Sequence, residues 1–176
     1  NACPELAERT IVINGVSKAY AMTGWRIGYA AGPEDLIRAM RKVQGQSTSC
    51  PSSVSQAAAV AALDGPQDCV AEMRTAFRER YQFFRDALNG IPGVECPAAE
   101  GAFYAFPSFA GVIESLPQLR DDVGLAAWLL EEAGVSTVPG SAFGAPGHLR
   151  LSYAASKEYL ADAVQRIRRA VEGASG

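Results

Sequence analysis

Two cations, Lys18 and Arg26, stand where few charges would be expected. Lys18 follows an apolar run, Thr10-Ile-Val-Ile13, and a small-residue bend at Asn14-Gly15; Arg26 opens a second run, Arg26-Ile-Gly-Tyr-Ala-Ala31. The pattern predicts two strands joined by a short loop, which places a lysine and an arginine, eight residues apart, near one end of a buried sheet. A loop lysine is ordinarily a solvated cation. Against that, the chain has three lysines to thirteen arginines, and no acidic residue lies between Arg9 and Pro33. An amine in apolar company without a carboxylate partner is held unprotonated, the form that imine formation needs.

The segment Ser17-Lys18-Ala-Tyr-Ala-Met-Thr-Gly-Trp-Arg26-Ile-Gly-Tyr29 resembles the lysine signature of the class I aminotransferases, pyridoxal 5'-phosphate enzymes of fold type I. It is most similar to the bacterial aspartate and aspartate/prephenate aminotransferase branch. The resemblance implies that Lys18 forms the Schiff base with the cofactor and that Arg26 grips its phosphate. Many members carry a phosphate-binding serine three residues before the lysine; Gly15 stands there in this chain, and Ser17 is the neighbouring hydroxyl candidate. The family's lysine falls in the second half of a longer chain, so the resemblance implies that these 176 residues correspond to a carboxy-terminal portion. The other cofactor contacts would then lie outside it.

Composition narrows the class. A net charge of -3 and a pI near 5.2 offer no polycationic surface to nucleic acid and no basic face to a membrane. No apolar run approaches the roughly 20 residues that span a bilayer, and Asn1-Ala-Cys-Pro-Glu5 does not read as a signal peptide. Cys3, Cys50, Cys69 and Cys96 are scattered, and the single histidine supplies no metal-ligand spacing. They read as reduced thiols of a cytoplasmic protein with no metal site.

The elements that must position the cations follow in order. Gly32-Pro33-Glu34-Asp35 marks a helix start, continued by a stripe of Leu36, Ile37, Met40 and Val43. Residues 45–53 read as a polar loop. The resemblance implies that Ser47, Thr48 and Ser49 approach a dimer partner; a plain capping and turn segment reads equally well. An Ala-rich helix from Ser53 to Leu63 stops at Asp64-Gly-Pro66. A long helix then carries Val70, Met73, Phe77, Tyr81, Phe84 and Leu88 as its core stripe, with Arg74, Arg78, Arg80 and Arg85 and the interleaved acids on a solvated face. Asn89-Gly-Ile-Pro-Gly93 ends it.

Short strands and helices alternate in the remainder, as in a compact α/β layer. Expected elements are a strand over 101–106, an irregular cover over 107–117, a helix over 121–133 ending at Gly134, a strand over 135–138, a turn over 139–144, and a closing helix over 156–172 with Ser156 as cap. That helix turns Leu160, Val164, Ile167 and Val171 inward. In His148-Leu-Arg-Leu-Ser-Tyr153 alternation sets His148, Arg150 and Ser152 on one face and Leu149, Leu151 and Tyr153 on the other. A strand arginine is ordinarily a rim charge or a salt-bridge partner. Arg150-Leu-Ser-Tyr-Ala154 resembles the family motif whose arginine holds the substrate α-carboxylate, a role for which the planar guanidinium fork suits arginine and not lysine. Gly101-Ala-Phe-Tyr104 resembles the motif whose aromatic borders the substrate, which makes Phe103 a substrate-binding candidate beside its reading as a core residue. His148 is taken as structural.

The fold expected is α/β: residues 1–66 from a large cofactor-binding domain, 67–91 a connecting helix, 92–176 a small carboxy-terminal domain. The activity implied is transamination between an amino acid, aspartate by the closest resemblance, and a 2-oxo acid, in a homodimer and with no nucleic acid or membrane partner. Two alternatives stand beside it. One is another fold type I reaction, an elimination or a cyclisation; the other is a non-catalytic piece that packs on a partner.

Overall fold

In the computed structural model, which describes residues 3–174, the apolar runs around Lys18 become a pair of antiparallel strands, Val12–Gly15 (β1) and Gly28–Ala31 (β2). Their register runs from Val12 opposite Ala31 to Gly15 opposite Gly28. The first strand starts two residues later than its pattern predicts. A 3-10 helix over Pro4–Arg9 takes Thr10 as its cap, and the Thr10 hydroxyl donates to the Leu6 carbonyl at 2.8 Å. The second starts late for a related reason: Thr23–Trp25 forms a 3-10 turn that ends on Arg26 in the left-handed region.

The chain divides into two compact units, Asn1–Glu72 and Met73–Gly176. The first holds β1 and β2, then the helices Glu34–Ser47 (α1) and Ser53–Asp64 (α2), and the first residues of Asp68–Asn89 (α3). Its burial is sparse. Among its described residues only Val16, Ser55 and Ala59 are buried. The sheet expected to be buried is instead exposed, Ile13 to 76%. The stripe of α1 does form on one helical face, yet Leu36, Met40 and Val43 are all exposed, Val43 to 71%. Gly45, expected to begin a loop, lies inside α1; the helix ends only where Ser49 turns left-handed at φ 64°.

The second unit is built around a single apolar cluster. Phe84 and Leu88 of α3 meet Ala110–Ser115 (α4), Asp122–Ala133 (α5) and Lys157–Ala174 (α6), packed with a three-stranded antiparallel sheet. That sheet has the order Tyr104–Ala105 (β3), Leu149–Ser152 (β5), Val138–Pro139 (β4), so β5 is central. Each fully buried Leu, Ile, Val or Phe contributes about 1.5–3 kcal/mol. In α6 the inward set is the one the spacing predicts: Leu160, Val164, Ile167 and Val171 are all buried, and the Ser156 hydroxyl accepts the Tyr159 N–H at the start. The α5 boundaries also follow the sequence, with Asp121 capping the Gly124 N–H at 2.7 Å and Gly134 closing the helix at φ 62°.

Three expectations in this unit are corrected. Residues 107–117 are not a loose cover: α4 places Phe109, Val112 and Leu116 at zero exposure in the core. The strand over 101–106 shrinks to two residues because Ala102 is left-handed at φ 64°. The strand over 135–138 begins only at Val138, since the Val135 N–H is taken by the Leu129 carbonyl in the closing turn of α5. Arg85 also departs from the solvated face assigned to it, its Nε donating to the Cys96 carbonyl at 3.3 Å. No helix among the described residues is long and apolar enough to cross a membrane.

Candidate functional site

Lys18, Ser17 and Arg26 all sit in the connection between β1 and β2. Val16, exposed by only 1%, plugs its start. The Tyr20 N–H donates to the Val16 carbonyl, the Ala21 N–H donates to the Lys18 carbonyl, and the Tyr20 hydroxyl reaches Gln67 Oε1 at 2.9 Å. Gln67 is itself anchored through Nε2 to the carbonyls of Ala62 and Gly65. Two residues of the connection, Ala21 at φ 53° and Arg26 at φ 50°, occupy the left-handed region. That conformation costs a side-chain-bearing residue about 1–2 kcal/mol, and such strain collects where a loop must hold a set shape.

Arg26 is exposed and bends back so that Nη1 donates to the Thr23 carbonyl at 3.0 Å. No acidic residue among the described ones pairs with its guanidinium. Ser17 is half-buried. Lys18 is exposed, so the apolar cover that its sequence neighbours suggested is not supplied by the described residues. The donor set in this one loop is a primary amine, a guanidinium without an acidic partner and a hydroxyl. That set fits a phosphate-bearing aldehyde: the amine for the carbonyl carbon, the fork for the dianion. Ser47 ends α1, with Thr48 and Ser49 following it, all three exposed.

Arg150 belongs to the second unit. The parity of β5 buries Leu149 and Leu151 and leaves Arg150 half-buried on the other face. Neighbours on both sides of this central strand bring a ring to the guanidinium. Tyr104 of β3 lies 4.4 Å away, and Phe143, from the turn after β4, 4.6 Å away. Such contacts are worth about 0.5–2 kcal/mol, rising with desolvation. Phe106 meets Phe143 edge-on and stacks with His148 at 5.3 Å, while His148 Nδ1 lies 3.1 Å from the Pro146 carbonyl. Among the described residues no carboxylate pairs with the Arg150 guanidinium and none accepts a hydrogen bond from it. Aromatic rings flank the fork, and its in-plane donors are left for a planar anion.

Phe103 is the ring next to Tyr104 in the chain. It is half-buried, packs against the core, and lies 4.3 Å from the Tyr104 ring. The buried Tyr153 holds the backbone beside it, its hydroxyl donating to the Ala102 carbonyl at 2.9 Å. Burial, with the nearby Tyr81, pushes the Tyr153 phenol up.

The turn that carries Phe143 is a 3-10 helix, Gly140–Phe143. Gly140 donates to the His148 carbonyl at 2.7 Å and accepts from the Ala145 N–H at 3.0 Å. Beneath it lies Asp122, a carboxylate only 2% exposed, whose Oδ2 accepts the Ser141 N–H at 2.7 Å. Burial alone would raise its pKa, but hydrogen bonds from the Ser141 N–H and hydroxyl and from the Gly147 N–H outweigh it and hold the carboxyl below the usual range. Tyr104 and Phe143 lie in segments the sequence marks, but their contact with Arg150 escapes a reading by motif, as does the role of Asp122. Tyr104 depends on the β3–β5 register, and Phe143 on the turn geometry. Asp122 looks like an ordinary first-turn acid of a helix.

These residues can be set beside known proteins. The family model for aminotransferase class I and II matches residues 2–167. The aspartate/prephenate aminotransferase of Nitrosomonas europaea is 54% identical over 172 residues, which cover 95% of this chain and 43% of that protein. The aspartate aminotransferase of Rhizobium meliloti strain 1021 is 51% identical over 173 residues, covering 96% and 42%. A crystal structure of the Rhizobium meliloti aspartate aminotransferase matches with a TM-score of 0.90 at 51% identity over 96% of this chain and 43% of the other. The Thermus thermophilus aspartate aminotransferase with maleate matches at 0.85 and 40% identity, covering 97% and 43%. The chain thus spans well under half the length of the relatives it matches, and its mixed helices and sheets are α/β structure of the fold type I kind. With a match that runs from residue 2 to residue 167, the chain belongs to the family of class I and II aminotransferases.

Proposed function

We propose that the protein takes part in pyridoxal-phosphate-dependent transamination, with Lys18 as the cofactor lysine, Arg26 and Ser17 as phosphate ligands and Arg150 as the α-carboxylate ligand. One observation carries the reading: the β1–β2 connection holds an amine and an acid-free guanidinium eight residues apart, with strained backbone at Ala21 and Arg26 fixing the turn between them. Lys18 supplies the amine that would hold the cofactor's aldehyde. Arg26 would balance the phosphate charge. When bound, the cofactor supplies the electron sink and carries the amino group between donor and acceptor. Lys18 Nζ is the base that takes the Cα proton of the amino acid and returns it on the far side of the exchange. Arg150 would hold the α-carboxylate in the plane of its fork and so fix the Cα–H bond in a reactive direction. Phe103 would border the substrate.

The amino acid we assign is aspartate or a close relative. Relatives at 51–54% identity are named for aspartate or aspartate/prephenate, and a structural neighbour was solved with maleate, a dicarboxylate. Residues 1–66 are then the carboxy-terminal part of a large cofactor-binding domain, 67–91 a connecting helix and 92–176 the small domain. The working form is a homodimer with Ser47–Ser49 towards the partner, and three exposed free thiols, Cys3, Cys50 and Cys69, suit the reducing cytoplasm. The sparse burial of the first unit favours a further statement: the 176 residues alone turn over no amino acid. Measurable 2-oxo acid formation by the isolated chain would refute it.

The deciding experiment places this chain in the Rhizobium meliloti enzyme in place of its matching segment. The chimera is expected to bind pyridoxal phosphate with the absorbance of a lysine-held cofactor and to convert aspartate to its 2-oxo acid. Lys18→Ala removes both. Arg150→Lys raises KM for amino and 2-oxo acids alike. Ammonia release in place of amino transfer would instead establish the elimination reading, and an unchanged spectrum in Lys18→Ala would remove Lys18 from its role.

A further inference from the structure

We propose that Asp122 is a positioning residue for Arg150: by holding the Gly140–Phe143 turn from below, it sets the Phe143 ring against the guanidinium and so fixes the plane in which Arg150 meets a carboxylate. The inference rests on the reading of Arg150 as the α-carboxylate ligand for its functional meaning, but not for its geometry. Asp122 is almost wholly buried at the first turn of α5, where a helix offers no need for a buried acid, since Asp121 already caps it. Its Oδ2 instead crosses to another element and accepts the Ser141 N–H at 2.7 Å. Two residues further on, Phe143 lies 4.6 Å from the Arg150 guanidinium and leans edge-on against Phe106.

The turn has few other reasons to keep this shape. Phe143 is 50% exposed, so burial of its own ring does not hold it. What remains is the Gly140–His148 and Ala145–Gly140 pairing at the base of the turn, the Gly144–Ser141 bond within it, the edge contact with Phe106, and the Asp122 carboxylate, which takes the Ser141 N–H and hydroxyl and the Gly147 N–H. Remove the carboxylate and the Ser141 N–H, the Ser141 hydroxyl and the Gly147 N–H all lose the acceptor they share, and the turn relaxes as they turn to water. Phe143 then withdraws from Arg150 while Tyr104, on the opposite side of β5, stays. Arg150 would then be free to rotate about its side chain with one aromatic neighbour instead of two.

The test reads Arg150 directly in the 176-residue chain. Its Nε–H signal in a proton–nitrogen correlation spectrum carries ring-current shifts from both aromatic neighbours, and Arg150→Lys identifies the signal by deleting it. Phe143→Leu gives the size of the Phe143 contribution. Asp122→Ala, which leaves no acceptor at that position, is expected to move the Arg150 signal in the same direction and by a comparable amount, while methyl signals of Leu125, Leu129, Leu149 and Ile167 keep their positions. An Arg150 signal that stays at its wild-type position in Asp122→Ala overturns the proposal, as does one that moves only together with the core methyls. In the wild-type chain, which no folding defect can confuse, the Ser141 N–H is expected to exchange with solvent as slowly as the β5 amides; rapid exchange overturns the proposal as well. In the chimera, Asp122→Ala is expected to raise KM severalfold for both the amino acid and the 2-oxo acid, with kcat changed less. If Arg150→Lys leaves KM unchanged while the Asp122 shift is seen, the carboxylate reading fails and the positioning of Arg150 stands.

Discussion

A methyl group added at Gly140 should do more harm than one added four residues later, and the difference can be worked out from the turn. A Cβ on Gly140 would run into the Ala145 carbonyl oxygen and come within 2.7 Å of both Cβ and the carbonyl oxygen of His148. Overpacking of this kind costs about 1–3 kcal/mol. Relief by opening the turn would weaken the Gly140–His148 and Ala145–Gly140 hydrogen bonds, each worth about 1 kcal/mol net. Gly140→Ala is therefore expected to cost about 3–5 kcal/mol in all. A Cβ on Gly144 would meet open space, but the residue sits at φ 76°, so Gly144→Ala incurs only the left-handed penalty of about 1–2 kcal/mol. The assay is urea unfolding followed by Trp128 fluorescence in a Trp25→Phe background, since Trp128 packs against the core of the second unit and Trp25 belongs to the first. With a urea slope of about 1.5 kcal/mol/M, the midpoint falls by about 2–3 M for Gly140→Ala and by about 1 M for Gly144→Ala. Equal shifts in the two variants would refute the reasoning, because the close approach of Gly140 to His148 would then be absent.

Two further outcomes are expected of the same chain. A thiol reagent added to the native protein should label Cys3, Cys50 and Cys69 quickly and Cys96 only on unfolding: Cys96 is 3% exposed, and burial pushes its thiol up despite the nearby Arg85 and a backbone hydrogen bond. Fast reaction of all four would show the α3–Cys96 packing to be open. The stability of the second unit should also carry an acid limb. The Asp122 carboxyl is held below its unfolded value of about 3.9, so its contribution is complete above that pH and is lost as pH falls through the folded value. Asp122→Asn should flatten the stability curve below about pH 4, where an unchanged slope would deny the carboxylate its hydrogen bonds.

What the sequence discloses depends on how far apart the deciding residues lie. The α6 stripe and the α5 caps are legible because periodicity and capping are local, and Leu160, Val164, Ile167, Val171, Asp121 and Gly134 all do what their spacing asks. The parity of Arg150 on β5 is local in the same sense. The α4 helix was legible in principle, for Phe109, Val112 and Leu116 recur at threes and fours, but Pro107 and Pro117 on either side disguise it as a loop. The aromatic flanks of Arg150 are of another kind. Tyr104 and Phe143 reach it from parts of the chain 46 and seven residues away, through a sheet register that no local pattern specifies and a turn whose place is legible but whose direction is not. Phe103 and Tyr104 are neighbours in sequence, and only the structure shows the Tyr104 ring against the guanidinium.

The same contrast separates the two halves of the proposed chemistry. Arg150 is held by groups that lie within Met73–Gly176: the parity of β5, the Tyr104 and Phe143 rings, and a turn tied down by Asp122 over a filled core. Its geometry is thus a property the 176 residues can express unaided. Lys18 and Arg26 are set by a strained loop on a sheet with no buried strand residue, beside a helix whose apolar stripe is exposed. Burial of a few side chains cannot offset backbone ordering of about 1–2 kcal/mol per residue across such a unit. The shape of that loop, and with it the reactivity of the amine, therefore depends on apolar cover beyond what the described residues provide. For this reason Arg150 can be tested in the chain as it stands, whereas Lys18 has to be tested in the chimera.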